Sequence, residues 1–260
     1  MKLYFTLVGA SIRARMQYKF NFLFSTFSYG LIMVTDFLML AAILLRFDDI
    51  RGWSIYEVGV LYGISSASMS LYRVVAAEIH DFERYMVEGE FDSLLIRPVS
   101  PLTLLLSRNL DLNRIGGVVQ GLSILGISLS HLTALPTFFW LLWYLPVALG
   151  TGLIISVSLG LMTATLAFWT HRIREFQVFT LYAPTNAANY PVSIYPGWLK
   201  WIFFTVLPVA FMNYLPATFL LQKGGEWYLL VVSPMAALLF AGVAFSFWRF
   251  GIRHYHSTGS

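Results

Sequence analysis

Residues 79–114 read IHDFERYMVEGEFDSLLIRPVSPLTLLLSRNLDLNR. They form the longest charge-rich stretch of an otherwise apolar chain. Asp81, Glu83, Glu88, Glu90, Asp92 and Asp111 lie within it, Glu78 stands just before it, and Arg84, Arg97, Arg108 and Arg114 accompany them. A charge at the centre of a bilayer costs roughly 2.5–3.5 kcal/mol even on the mild insertion scale. A polar island flanked by apolar runs therefore belongs in water, on one side of a membrane. This island also carries apolar residues among its charges: Tyr85, Met86, Phe91, Leu94, Leu95 and Ile96. It breaks at Gly89 and again at Pro98 and Pro101. The prolines favour a turn and a fresh helix start, so LTLLLSRNL reads as a short helix presenting Leu102, Leu105 and Leu106. Charges around hydrophobic anchors describe a docking surface for a soluble partner better than a solvated linker.

Composition agrees with a membrane setting. The 260 residues are 58% hydrophobic and 12% charged, with mean hydropathy +0.69. Soluble domains carry about 25% charged residues. The apolar runs are near 20 residues rather than alternating ten-residue segments, which favours an all-α polytopic membrane protein over a barrel. No linker suggests a second domain, so residues 1–260 read as one transmembrane unit. There is no cysteine, hence no disulfide framework and no thiolate chemistry. His80, His131, His171, His254 and His256 are scattered over both faces of the membrane, which predicts no metal site. No G-x-x-x-x-G-K-[ST] loop and no Rossmann glycine pattern occur, so the chain is not expected to bind a nucleotide itself. No nucleophile set of the Ser–His–Asp kind can be assembled on one face, and the chain is not expected to be an enzyme. The net charge of +4 reflects where Lys and Arg lie relative to the membrane and is no nucleic-acid signal.

Along the chain, residues 1–19 are too polar to span. Phe5, Val8, Ile12 and Met16 recur at helical spacing, which predicts an interfacial helix along the membrane surface. Spans are expected over about 20–45, 53–77, 115–133, 136–169 (interrupted by Pro146), 176–195 and 227–248. Gly63, Ser65, Ser66, Ser68 and Ser70 in the second span let helices approach closely. The polar island continues the second helix over 79–88, turns between Gly89 and Pro98, and returns to the membrane at Asp111 to Arg114.

Residues 198–221, WLKWIFFTVLPVAFMNYLPATFLL, are apolar enough for a seventh span. Pro208 and Pro216 each remove a helix hydrogen bond and divide the segment into pieces of about ten residues, each about 15 Å long, half the hydrocarbon thickness. Charge gives the same answer. With six spans, 13 of the 17 Lys and Arg share one side, and only Arg46, Arg51, Lys200 and Lys223 are on the other. That asymmetry fits the positive-inside rule and places both termini in the cytoplasm. Residues 197–222 are thus expected to form a re-entrant pair of short helices at the outer face, before the last span.

Inside the membrane, Asp36 is the one carboxylate well within a span. It is a candidate ion relay or substrate contact. It also stands about 24 Å along its helix from Phe20, where Tyr, Ser or water near the outer end could satisfy it. Asn186 and Asn189 make the fifth span polar, which suits either a lined path or interhelical hydrogen bonds. With the re-entrant prolines Pro208 and Pro216 they are the candidate pathway residues.

GEFDSLLIRPVSPL, LPVAFMNYLPATFLL and the tail FGIRHYHSTGS together resemble the permease subunits of bacterial type-2 ATP-binding-cassette exporters, in the small six-span branch. The branch ends in a Gly–x–x–x–Tyr–x–Ser–x–Gly-like tail, here Gly251, Tyr255, Ser257 and Gly259. The resemblance implies two permease subunits, identical or homologous, in the bacterial inner membrane. It implies two copies of a separate ATPase on the cytoplasmic side, which would hold ATP and Mg. It makes Glu88, Gly89, Glu90, Phe91, Asp92, Leu95, Arg97 and Pro98 the ATPase-coupling residues, leading into the helix of Leu102 and Leu105. Residues 1–19 would be a connecting helix, and 197–222 an extracellular helix pair. Cargo does not transfer. Two alternatives stand beside this reading. An ion-coupled secondary transporter would need ionisable relays in several spans, and only Asp36 qualifies. A membrane-embedded lipid-modifying enzyme would need a polar catalytic cluster at one interface, and none is recognisable.

Overall fold

A computed structural model describes residues 6, 9, 13, 19–44, 51–132, 138–224 and 227–256. The expected interfacial helix over 1–19 falls largely outside them, as do Arg46 and the tail residues Ser257 and Gly259. The described residues form helices and turns, with no strand. Among the described residues four helices are long and apolar enough to cross a membrane, Phe22–Met39, Leu112–Ser130, Leu141–Thr170 and Leu229–Arg253, or five if the bent pair Gly197–Thr205 and Ala210–Leu220 counts as one span. The chain is an all-α polytopic membrane protein.

The first helix, α1, runs over Lys19–Leu44, and α2 over Ile55–Val75. Four short helices build the polar island: α3 (Ala77–His80), α4 (Glu83–Val87), α5 (Phe91–Leu95) and α6 (Pro101–Arg108). Then come α7 (Ile115–Ser130) and α8 (Phe138–Thr170). The expected fifth span consists of α9 (Arg174–Gln177), a π turn (Val178–Tyr182) and α10 (Ala183–Ala188). Together these reach only about 22 Å at 1.5 Å per residue. The apolar segment beyond is α11 (Gly197–Thr205), a π turn (Ala210–Tyr214) and α12 (Leu215–Leu220). The last helix, α13, is Leu229–Arg253.

The expected second span is a 21-residue helix whose serines, Glu57 and Arg73 keep it below the apolarity of its neighbours. Most of its side chains are buried against other helices, so it does not have to meet lipid on all sides. A capping box starts it: the Ser54 hydroxyl accepts from the Glu57 N–H, and the Glu57 carboxylate accepts from the Ser54 N–H at 2.7 Å. Small residues then seat α7 on it. A Cβ on Gly63 would lie 2.9 Å from the Gly121 carbonyl oxygen and 2.7 Å from the Leu125 Cβ, so these two backbones touch. This is the close approach that association of helices in lipid relies on.

Pro208 stands in a break between the two apolar pieces, which bend by 79°. Two other prolines act differently from expectation. Pro216 follows closely on the π turn, and helical backbone runs on through it to Leu220 without a break. Pro146 lies inside α8 without ending it. The 33 residues of α8 extend about 50 Å, beyond a hydrocarbon core of about 30 Å. Its last turns therefore emerge into the polar layer, where they meet the island.

Replacing Gly63 by Leu should cost about 1–3 kcal/mol or more, because the neighbouring backbone cannot yield. Gly150, with nothing within 4 Å of its added Cβ, should accept Leu. Detergent extraction and size-exclusion profiles check this, with loss of the monodisperse peak expected for Gly63→Leu alone.

Candidate functional site

The island is a packed lobe. Its helices begin where α2 stops, at Ala76, whose backbone leaves the helical region (φ −125°, ψ 35°). The expected straight continuation of the second helix over 79–88 is therefore replaced by a bend and two short helices. Gly89, at φ 69°, takes the left-handed turn that glycine accepts most easily. Ser100 caps α6 by accepting from the Thr103 N–H at 3.2 Å, and Pro101 occupies its first turn, so the fresh start forms as expected.

Five aromatic rings bind the lobe to the protruding ends of α8 and α13. Phe91 stands 5.5 Å from Phe82, 5.1 Å from Phe168 and 5.0 Å from Tyr255, centroid to centroid, and Phe82 is 5.2 Å from Trp248. The arrangements are mostly edge-to-face, the geometry that aromatic quadrupoles favour. The Tyr255 hydroxyl donates to the Asp92 carboxylate at 3.0 Å. Gly251, one helical turn earlier, lies against Phe168 and Thr165 with no room for a Cβ. The Gly and Tyr of the tail thus act together: one lets α13 approach α8, the other closes over α5.

A polar network holds the other side of the lobe. The buried Glu78 carboxylate accepts from the Tyr85 hydroxyl at 2.7 Å and from Arg84 at 3.2 Å. Arg108 donates to Tyr85 and to Glu90, at 3.1 and 3.2 Å. Burial, and the bond its phenol donates to Glu78, push Tyr85 up to about 12. Glu83 reaches across to α9, its carboxylate accepting from the Ile173 and Arg174 N–H groups at 2.7 and 3.0 Å. Glu83 is thereby a remote cap for a helix start that has no local one.

The candidate coupling residues consequently separate. Phe91 and Leu105 are buried and cannot touch a partner; they position those that can. Glu90 and Asp92 are engaged internally with Arg108 and Tyr255. Gly89 and Leu102 are half-buried, while Glu88, Leu95, Arg97 and Pro98 are exposed. With them stand Ile96, 86% exposed, and Val87, 57% exposed. Ile96 is the most open apolar side chain of the island, and it was not singled out as a coupling residue from the sequence.

A second feature lies where α1, α2 and the α9–α10 segment meet. It is a cleft of about 440 Å³ whose walls include Asp36, Asn186 and Asn189, so the structure brings these three candidates together. Pro208 and Pro216 are buried elsewhere and do not line it. Sequence reasoning missed Arg73, Tyr182, Tyr62 and Ser65, all of which do line it.

The cleft and the lobe are joined. Arg73 donates to the Tyr182 hydroxyl oxygen at 2.7 Å. That hydroxyl is 2.9 Å from His80 Nε2, and His80 Nδ1 is 3.2 Å from the Tyr72 hydroxyl. With Arg73 donating inward, the Tyr182 proton faces Nε2. The imidazole then carries its own proton on Nδ1 and donates to Tyr72. The Gln177 side-chain amide donates to the His80 carbonyl. Burial, then the charges of Arg73 and Arg114, lower His80 to about 3, so it is a neutral relay at neutral pH. Among the described residues no group of His, Asp and Glu could hold a metal ion.

A family model described as ABC-2 family transporter protein matches residues 31–259. No curated protein and no solved structure matches.

An unfolded histidine titrates near 6.5, well above the folded value of about 3. Between these values the unfolded state binds a proton that the folded state refuses. The stability contributed by neutral His80 is complete above about pH 6.5 and drains as pH falls, by up to about 1.4 kcal/mol per unit. Melting midpoints of the purified protein should therefore drop more steeply from pH 7 to 4.5 in the wild type than in His80→Gln. Parallel curves would contradict the assignment.

Proposed function

The chain belongs to the ABC-2 transporter family, and we propose that it forms half of an exporter's translocation pathway, worked by a separate ATPase. It is a multi-pass membrane protein and the permease component of an ABC transporter, with no catalytic role of its own. In the proposed assembly two permeases, identical or homologous, pair in a bacterial inner membrane with both termini in the cytoplasm. Two ATPase copies bind the island side and hold ATP and Mg. Residues 1–19 act as the connecting helix, and the bent pair over 197–222 dips in from the outer face.

One observation carries the reading. The exposed edge of Leu95, Ile96, Arg97 and Pro98 is mounted on a lobe whose core is continuous with α8 and α13 through Phe91, Phe168, Trp248 and Tyr255. A push on that edge is delivered to the membrane helices, because a close-packed aromatic core transmits displacement and does not absorb it. The cleft of Asp36, Asn186 and Asn189 is the proposed pathway wall, switched between its two accesses by rigid-body movement of the helices.

The double variant Ile96→Asp, Arg97→Glu alters only exposed side chains and should insert and purify normally. It should lose at least about tenfold of the co-purifying ATPase, since a charge replaces the apolar anchor of the contact. Affinity purification from the native host followed by quantification of associated subunits reads this out. Undiminished ATPase recovery would move the docking surface elsewhere.

A further inference from the structure

We propose that the cleft is a binding site for an oxyanion-bearing polar ligand, with Arg73 as the counter-ion and Ser65 among the hydrogen-bonding groups along its body. The proposal rests on the cleft being the pathway wall, and it assigns the chemistry of what enters there.

Arg73 is the first observation. A guanidinium has five N–H donors in a planar fork suited to a carboxylate or phosphate. One of them is used on Tyr182. Among the described residues Arg84, Arg108, Arg114, Arg174 and Lys223 stand in ion pairs, and no carboxylate pairs with Arg73. Its position in the last turn of α2 suits the helix dipole, but that does not account for a fork standing in the wall of a polar cleft. The Tyr182 hydroxyl fixes one edge of it and leaves the rest available. Close by, Arg114 lies over the ring of Tyr29, another residue of the cleft, at 4.4 Å. Arg114 is paired with Asp111 at 3.1 Å, whereas Arg73 is in no ion pair, so a guanidinium is left at this end of the cleft to attract an anion.

Ser65 is the second, independent observation. Ser65 lines the cleft, and its buried hydroxyl has no hydrogen-bond partner among the described residues. A buried hydroxyl left without a partner is unfavourable. A ligand that supplies a hydroxyl or amide there gives it one. Ser65 stands eight residues before Arg73, about 12 Å along α2. Asn186, Asn189 and Tyr62 continue the same polar wall, and Asp36 stands at the far end beside Tyr62. A wall graded from cation to carboxylate sets the ligand's direction: the oxyanion lies toward the island and the uncharged polar portion points away. A volume of about 440 Å³ falls in the range of ordinary small-molecule sites.

The same oxyanion could belong to a lipid headgroup or to a soluble molecule, so the test uses both. Binding to the detergent-purified full chain is measured for dioctanoyl phosphatidylglycerol, for glycerol 3-phosphate, and for dioctanoyl phosphatidylcholine as the zwitterionic control. The expected result is that one anionic probe binds at least tenfold more tightly than phosphatidylcholine; which one does so identifies the source. Arg73→Gln should lose at least tenfold of that affinity, and Ser65→Ala a few-fold. Asn186→Asp, which adds a negative charge to the wall and leaves Arg73 in place, should also lose about tenfold, and it keeps the test valid if Arg73→Gln does not fold. Arg253→Gln, exposed on α13, should bind as the wild type does. Equal binding of all three probes, or wild-type affinity in both Arg73→Gln and Asn186→Asp, overturns the site. The pathway reading is separable: Arg73-dependent binding with no change in ATPase rate when the probe is added to the complex with its co-purified ATPase would sink the pathway and leave the site standing.

Discussion

The packing of Phe91 among Phe82, Phe168, Trp248 and Tyr255 is the contact on which the rest depends. It joins a loop, the end of α8 and the end of α13, three segments far apart in the chain. Each aromatic pair adds about 0.5–1.5 kcal/mol beyond the burial of its area, and the cluster forms only because two helices run past the hydrocarbon boundary far enough to supply Phe168 and Trp248. Gly251 is required on the same account, since any side chain there would push α13 away from Phe168. Without the cluster, the charged island would hang from α2 as a solvated loop, and force applied to it would be lost in loop motion.

The lobe has two kinds of attachment, and they differ in what they can do. Its aromatic side is interdigitated, and a displaced ring there would open a void. Its other side is tied by directional bonds: Glu83 to the Ile173 and Arg174 N–H groups, Gln177 to the His80 carbonyl, and Tyr182 between His80 and Arg73. Such bonds can be exchanged for others of similar strength when helices slide, at a net cost of about 1 kcal/mol each. The arrangement therefore combines a stiff joint to α8 and α13 with an exchangeable joint to α9, α10 and the cleft.

What the sequence revealed, and what it hid, follows from the same division. The island, the break at Pro208, the turn at Gly89 and the helix start at Pro101 are local properties, set by charge, ring geometry and backbone freedom, and all were legible. Phe91 and Ile96 were not separable, because a five-residue helix carries too little periodicity to mark a buried face. The face is chosen by Phe168 and Tyr255, which lie 77 and 164 positions beyond Phe91 in the chain. Asp36, Asn186 and Asn189 stood out as polar residues in apolar runs. Arg73 did not, because as the last charge of a helix it looked like a boundary marker, and its partner Tyr182 is 109 residues away. Inside apolar segments the effect of a proline was less legible: Pro208 breaks its segment, whereas α8 carries Pro146 in its interior.

The second helix shows why hydropathy alone undercounts this architecture. Its serines and glycines make it the least lipid-like of the long helices, yet it lies at the centre, and three regions meet on it. At one end Glu57 pairs with Lys223, whose ammonium also caps the Gly52 carbonyl and lies 5.1 Å from the Trp53 ring. In the middle, α2 forms a wall of the cleft. At the other end the island departs at Ala76 and returns at Asp111, whose N–H donates to the Val74 carbonyl at 3.1 Å. The lobe therefore leaves and rejoins the helix at a single point. The Asp111–Val74 bond ties it to α2 there, and the aromatic cluster ties its opposite side to α8 and α13. The cleft lies on another side of the same helix, between α1, α2 and the α9–α10 segment. A polar, closely packed helix in the middle of a membrane protein is in this case the element that island, cleft and the Glu57–Lys223 pair all share.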